Sequence, residues 1–190
     1  APEASRFRPR GSFWKWDRRV EAWRCAAMHY ARVAAELSST FPDRFSDTLP
    51  PRARVFHRRR PRPLPPDGAA SLQAWNTAGH RGLLACDVLS ERFAAAIAAM
   101  AGLPCATLVV TTGPERALAW RNRIAAGLGC EAGILGGRDR TIRPISTATY
   151  RSAHIHAPTI GALFDLLIFD EPRMLGRNTC RDIALMSIAR

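Results

Sequence analysis

Two regimes of apolar spacing divide the chain. From Asp17 to Leu37 apolar positions recur at helical intervals, with Val20, Trp23, Ala27, Tyr30, Val33, Ala34 and Leu37 on one stripe. Asp17 stands where an N-cap belongs, and Arg18, Arg19, Arg24 and Arg32 lie off the stripe. The pattern predicts a helical N-terminal extension, with Trp14 and Trp16 either packed on it or free to stack on bases. From Leu72 onward, short unbroken apolar runs alternate with helical ones. Leu72 to Thr77 reads as a helix end and Gly82-Leu83-Leu84-Ala85-Cys86 as a short buried strand. Glu91 to Ala101 is helical, Ala106 to Val110 a second strand, and Pro114 to Ala126 a helix. Three further strands follow at Glu131 to Leu135, Ile142 to Thr149 and Leu163 to Phe169. Buried strands separated by helices predict an α/β fold with a parallel sheet sandwiched by helices. Ligands of such sheets sit beyond the carboxyl ends of the strands. That rule gathers Asp87, Thr111-Thr112, Gly136-Gly137, Thr149 and Asp170-Glu171 on one rim.

Charge sharpens this division. The 190 residues carry a net +12, and Lys15 is the sole lysine among 28 cations. Residues 1–70 hold a net +8 and residues 71–190 a net +4. Between the two regimes lies a Pro/Arg stretch, from Pro50-Pro51-Arg52 through Arg58-Arg59-Arg60-Pro61-Arg62-Pro63 to Pro65-Pro66. Prolines at that density exclude regular structure and favour an extended backbone. The stretch reads either as a solvated linker or as an arm along an acidic partner. Arg58, Arg59, Arg60 and Arg62 are its candidate nucleic-acid contacts, since guanidinium forks suit phosphate oxygens. The expected organisation is a basic helical extension (1–48), a Pro/Arg linker or arm (49–68) and an α/β lobe (69–190).

No apolar run approaches the roughly 18–20 residues of a membrane span. Five scattered cysteines without a C-x-x-C suggest neither zinc nor a disulfide framework. Free thiols of this kind fit the cytoplasm or another reducing, nucleic-acid-containing compartment. His154 and His156 have no cysteine or carboxylate at ligand spacing, so they read as loop histidines and no metal site is expected.

The chemistry lies in the motifs. Leu-Leu-Ile-Phe-Asp170-Glu171 has the form of a Walker B strand, whose first carboxylate holds Mg²⁺ and whose second positions an attacking water. In order with it stand Thr107-Leu108-Val109-Val110-Thr111-Thr112 through Leu118 to Trp120, then Gly133-Ile134-Leu135-Gly136-Gly137, then Ile145 to Ala153. As a set these segments resemble the first RecA-like lobe of superfamily 2 (DEAD/DEAH-like) helicases, most nearly the XPB-like DNA repair helicases. The resemblance runs from about Leu64 onward and implies a RecA-like fold. It also implies that Thr112, Gly136, Gly137, Thr149 and Tyr150 grip nucleic-acid phosphates, as strand-end hydroxyls and backbone N–H groups can.

The chain departs from the family at the nucleotide. Where the family has G-x-x-x-x-G-K-[ST], this sequence has Asp87-Val88-Leu89-Ser90-Glu91-Arg92-Phe93. Leu89 and Glu91 resist the backbone a phosphate nest needs, and Glu91 puts a carboxylate where polyphosphate would sit. Phe93 lacks the metal-binding hydroxyl, and Arg92 retains only the charge of the lysine. The family's Tyr-Gln pair stands here as Asp67-Gly68, and the sequence carries no second lobe after its acidic pair. The expected function is therefore non-catalytic: a degenerate helicase-like lobe that binds nucleic acid, DNA or RNA, or a nucleoprotein assembly, with Asp170 and Glu171 vestigial and no cofactor. The alternatives are an ATPase lobe completed by a partner lobe, with ATP and Mg²⁺ bound near Arg92, or a protein-interaction subunit of a larger complex.

Overall fold

The computed structural model describes residues 9, 11–49, 55, 59–85, 88–136, 139–176 and 178–189. The N-terminal region opens on a two-stranded antiparallel hairpin, β1 (Lys15–Asp17) and β2 (Ala22–Arg24), followed by a 3₁₀ turn at Ala27–His29 and helix α1 (Tyr30–Thr40). The stripe beginning at Val20 is thus helical only in its second half. Local chemistry explains the correction. The Asp17 carboxylate accepts the backbone N–H of Arg19 at 3.0 Å, closing a turn instead of capping a helix. Glu21 takes a positive φ of 48° at that turn, and Trp16 pairs with Trp23 across the strands with ring centroids 5.4 Å apart.

The lobe proper is α/β and RecA-like in plan. Helices α2 (Pro66–Thr77) and α3 (Leu89–Gly102) lead into β3 (Thr107–Thr111), α4 (Pro114–Leu128), β4 (Gly133–Gly136), β5 (Asp139–Thr141), β6 (Ile145–Thr149), α5 (Tyr150–Ile160), β7 (Leu166–Phe169), a 3₁₀ turn (Pro172–Gly176) and α6 (Asn178–Leu185). The sheet runs β5-β4-β6-β3-β7, parallel except for β5. Alternate residues of β3 supply its two cores. Leu108 and Val110 pack with Ala148, Ala153, Ile160 and Ile183 beneath α5 and α6. Val109 packs with Phe93, Ile97, Trp120 and Ile124 beneath α3 and α4. Both faces of the sheet are covered, which is why its strands read as unbroken apolar runs.

Two expectations are corrected here. Gly82 to Ala85 form no strand: Leu83 is 77 % exposed, and Cys86 lies outside the described residues. Positive φ values at Gly79 (75°), His80 (65°) and Gly82 (156°) turn the chain before it can pair, and among the described strands β7 forms one edge of the sheet and β5 the other. His154 and His156 lie on α5, not in a loop, and no group of three or more potential metal ligands occurs among the described residues. No described helix is long and apolar enough to cross a membrane.

The Pro/Arg stretch is tied down at Val55 and Arg59. Val55 is buried in the core beneath α3 and α4, and its N–H donates to the Pro104 carbonyl at 3.2 Å. Arg59 gives its backbone N–H to the Leu128 carbonyl at 3.1 Å and its guanidinium to the Ala126 carbonyl at 3.3 Å. These are last-turn carbonyls of α4, the negative end of its dipole, where a cation is favoured.

Candidate functional site: the carboxyl rim of the sheet

Asp170 follows β7 directly, and its N–H extends the ladder to the Val110 carbonyl at 2.8 Å. Its carboxylate is turned inward, with only 5 % of the side chain exposed. There Oδ2 accepts from the Trp120 indole Nε1 at 3.0 Å and from Thr111 Oγ1 at 3.2 Å. The Arg116 Nε lies 3.3 Å from the same oxygen. Thr111 comes from the end of β3, while Arg116 and Trp120 share one face of α4, one turn apart. A buried carboxylate needs this much donation to remain in place.

Glu171 adopts a positive φ of 64°, a costly backbone for a residue with a Cβ. Its carboxylate is paired with the guanidinium of Arg116 and, at 2.9 Å, with that of Arg173. The two carboxylates thus meet two guanidiniums of the same chain, and their charge is compensated from within. Tyr150 braces the pair from behind. Its hydroxyl lies 3.2 Å from the Glu171 carbonyl and 3.4 Å from that of Asp170 as donor. Burial, with the nearby Cys180, Asp170 and Glu171, pushes its phenol above the usual range.

Beside the acidic pair opens a cleft of about 750 Å³ whose lining includes Trp75, Arg81, Leu84, Arg92, Trp120 and Glu171. Arg92 is exposed on the first turn of α3. That helix begins at Leu89, its N-cap residue Val88 offers no side-chain acceptor, and Glu91 occupies the first turn. Phe93 faces the core, its ring 4.3 Å from that of Trp120 and 4.0 Å from the Arg123 guanidinium. Arg116 contacts both carboxylates of the acidic pair.

The other rim candidates differ in availability. Thr112 is exposed between β3 and α4, and Gly136 ends β4 half-buried. Thr149 caps α5: its Oγ1 accepts the Ser152 N–H at 3.1 Å and lies 3.0 Å from Ser152 Oγ. Tyr150 is 3 % exposed, with its hydroxyl directed at the carbonyls above. Arg60 and Arg62 are exposed and carry no ion pair among the described residues, whereas Arg59 is engaged at α4. Arg58, Asp87 and Gly137 lie outside the described residues.

Thr112, Gly136, Thr149 and Asp170-Glu171 therefore share one rim. Arg59 does not join them. Arg59 sits at the C-terminal end of α4 and Arg116 in its first turn, so the length of the helix, about 20 Å, separates them. Sequence reasoning missed Arg116 and Trp120 as partners of Asp170. The available signal was a cation in the first turn of the helix that follows the strand pairing with β7.

No family model matches the chain. Over 103 residues, 54 % of its length, the chain is 31 % identical to the DNA 3'-5' translocase XPB2 of Sulfurisphaera tokodaii. That match spans 23 % of the translocase, so the likeness covers about a quarter of the relative. It supports a helicase-like relationship for the lobe.

Proposed function

We propose that this chain is a helicase-like lobe that binds nucleic acid through phosphates and does not turn over nucleotide. The observation that carries the reading is Arg116, whose guanidinium is shared between Asp170 and Glu171. A divalent ion held by carboxylates needs their charge uncompensated, and here it is met by a fixed cation of the same chain. Glu91 in the first turn of α3 and Phe93 in the core point the same way. The nucleic-acid half of the reading draws on the net +12, the exposed Arg60 and Arg62, the exposed Thr112 on the rim, and the likeness to a DNA translocase. Affinity in this reading comes from counterion release, so it falls steeply with salt and shows little sequence preference.

Two titrations of the same protein test the two halves. Calorimetry with ATP and Mg²⁺ should show no heat up to millimolar nucleotide, and saturable binding there would restore the ATPase reading. Duplex DNA titrated at low and moderate salt should bind more weakly as salt rises, and a flat response would remove the nucleic-acid half.

A further inference from the structure

The hairpin β1–β2 makes no pairing with the main sheet and has two unlike faces. Register places Trp16 opposite Trp23 and Lys15 opposite Arg24. Side chains alternate along a strand, so the tryptophans share one face while Lys15, Asp17 and Arg24 share the other. Across the strands Lys15 stands directly opposite Arg24, and like charges so placed repel. Arg19, just past β1, folds back onto the same Asp17. Asp17 Oδ2 accepts Arg24 Nη1 at 2.7 Å and Arg19 Nη2 at 2.9 Å, and Oδ1 accepts Arg19 Nε at 3.1 Å. One carboxylate thereby orients two guanidiniums that stay 82 % and 61 % exposed. Lys15 beside them has no ion pair among the described residues.

We infer that this charged face, Lys15, Arg19 and Arg24 set by Asp17, is a clamp for the phosphodiester backbone of duplex DNA. A polyanion offsets the net positive charge that a single Asp17 leaves on this face, and guanidiniums held in advance lose little entropy on binding. Asp17 acts as a positioning residue: its bonds to Arg19 and Arg24 fix where their remaining N–H groups point. The tryptophan pair on the opposite face keeps the two short strands together, which a hairpin of three-residue strands requires. This deepens the nucleic-acid half of the reading above and rests on it.

The test compares the full chain with Lys15→Gln/Arg24→Gln and with Arg60→Gln/Arg62→Gln. Each protein is titrated with a labelled duplex of about 20 base pairs from roughly 50 to 200 mM salt. Removal of Lys15 and Arg24 is expected to weaken binding at least tenfold at low salt and to cut the salt slope by about 1.8, near 0.9 per lost phosphate contact. An unchanged slope overturns the clamp while the arm variant still reports on nucleic-acid binding at large. A wild-type chain that does not bind the duplex overturns both. Binding to phosphatidylserine vesicles that falls in the hairpin variant, while duplex binding does not, also overturns it. Near-ultraviolet circular dichroism of the Trp16–Trp23 pair checks the hairpin, and if the double variant loses that signal, Lys15→Gln alone decides with an expected slope change of about 0.9.

Discussion

Nε of Arg116 lies 3.3 Å from Oδ2 of Asp170, in the first turn of a helix that also presents Trp120 to the same oxygen. The carboxylate is buried and the guanidinium about one-third exposed. Such a pair gains less than a fully buried one because water screens part of it, but removing the cation still leaves a buried anion short of a partner. Arg116→Leu is expected to lower stability by about 1–2 kcal/mol, given that Thr111 and Trp120 still donate. Asp170→Asn in the Arg116→Leu background should recover part of that loss, because the amide needs no counterion. A double-mutant cycle by urea denaturation measures the coupling, and additive losses would count against the pair.

Close approaches of backbone at two glycines make a second prediction. A Cβ on Gly133 would strike the Thr141 carbonyl, in the strand paired with β4, and come within 2.6 Å of Ser146 Oγ and 2.8 Å of Arg143 N, which are hydrogen-bonded to each other. A Cβ on Gly161 would strike the Met186 carbonyl, where the Gly161 carbonyl also accepts Ile188 N at 3.1 Å. Backbone cannot yield as a side-chain tip can, so Gly133→Ala and Gly161→Ala should each cost about 2–4 kcal/mol. Gly102→Ala is the control, since nothing lies within 4 Å of its Cβ position. Thermal melts of the three variants separate these cases.

Parts of this architecture were legible from sequence for a physical reason. β3 and β6 are buried along almost their whole lengths, so they appear as short, β-branched runs such as Thr107 to Val110, the form of a strand covered on both faces. The position of the acidic pair at the end of β7 was legible because its apolar strand stands in order with the segments at Thr107 to Thr112, Gly133 to Gly137 and Ile145 to Ala153. What failed depended on contacts between distant segments. Trp23 fits a helical stripe, and only its partner Trp16 makes it a strand residue. Gly82 to Ala85 have strand composition, but the turn at Gly79 and His80 decides their path. Arg116 looks like one more surface arginine until the order of β3 and β7 brings α4 over Asp170.

Tyr150 supplies a pH dependence whose sign is fixed. Its phenol is raised above its usual value, chiefly by burial, so the folded state favours the neutral form. The stability it contributes is fully present below the unfolded pKa of about 10 and is lost as pH rises beyond it. The urea midpoint of the wild type should therefore fall more steeply between about pH 9 and pH 11 than that of Tyr150→Phe. The variant should itself be less stable by about 1 kcal/mol at neutral pH, through the hydroxyl lost from the Asp170 and Glu171 carbonyls. Parallel pH curves for the two proteins would show that Tyr150 ionises freely in the fold.

The arm arginines divide by the same logic of partners. Arg59 spends its guanidinium and its N–H on the last carbonyls of α4, whereas Arg60 and Arg62 meet no carboxylate among the described residues. Arg59→Ala should lower stability by about 0.5–1 kcal/mol, through the lost cap and the lost cation at the helix dipole. Arg60→Ala and Arg62→Ala should leave the melting temperature unchanged, since surface charges without partners contribute little to folding. Their effect belongs to binding, where each should reduce the salt slope of duplex affinity by about 0.9 and weaken all sequences alike. Melting curves and salt titrations on the three single variants distinguish the two roles. A loss of stability at Arg62, or an undiminished slope at both Arg60 and Arg62, would mean that the arm is a structural strap and not a contact for phosphate.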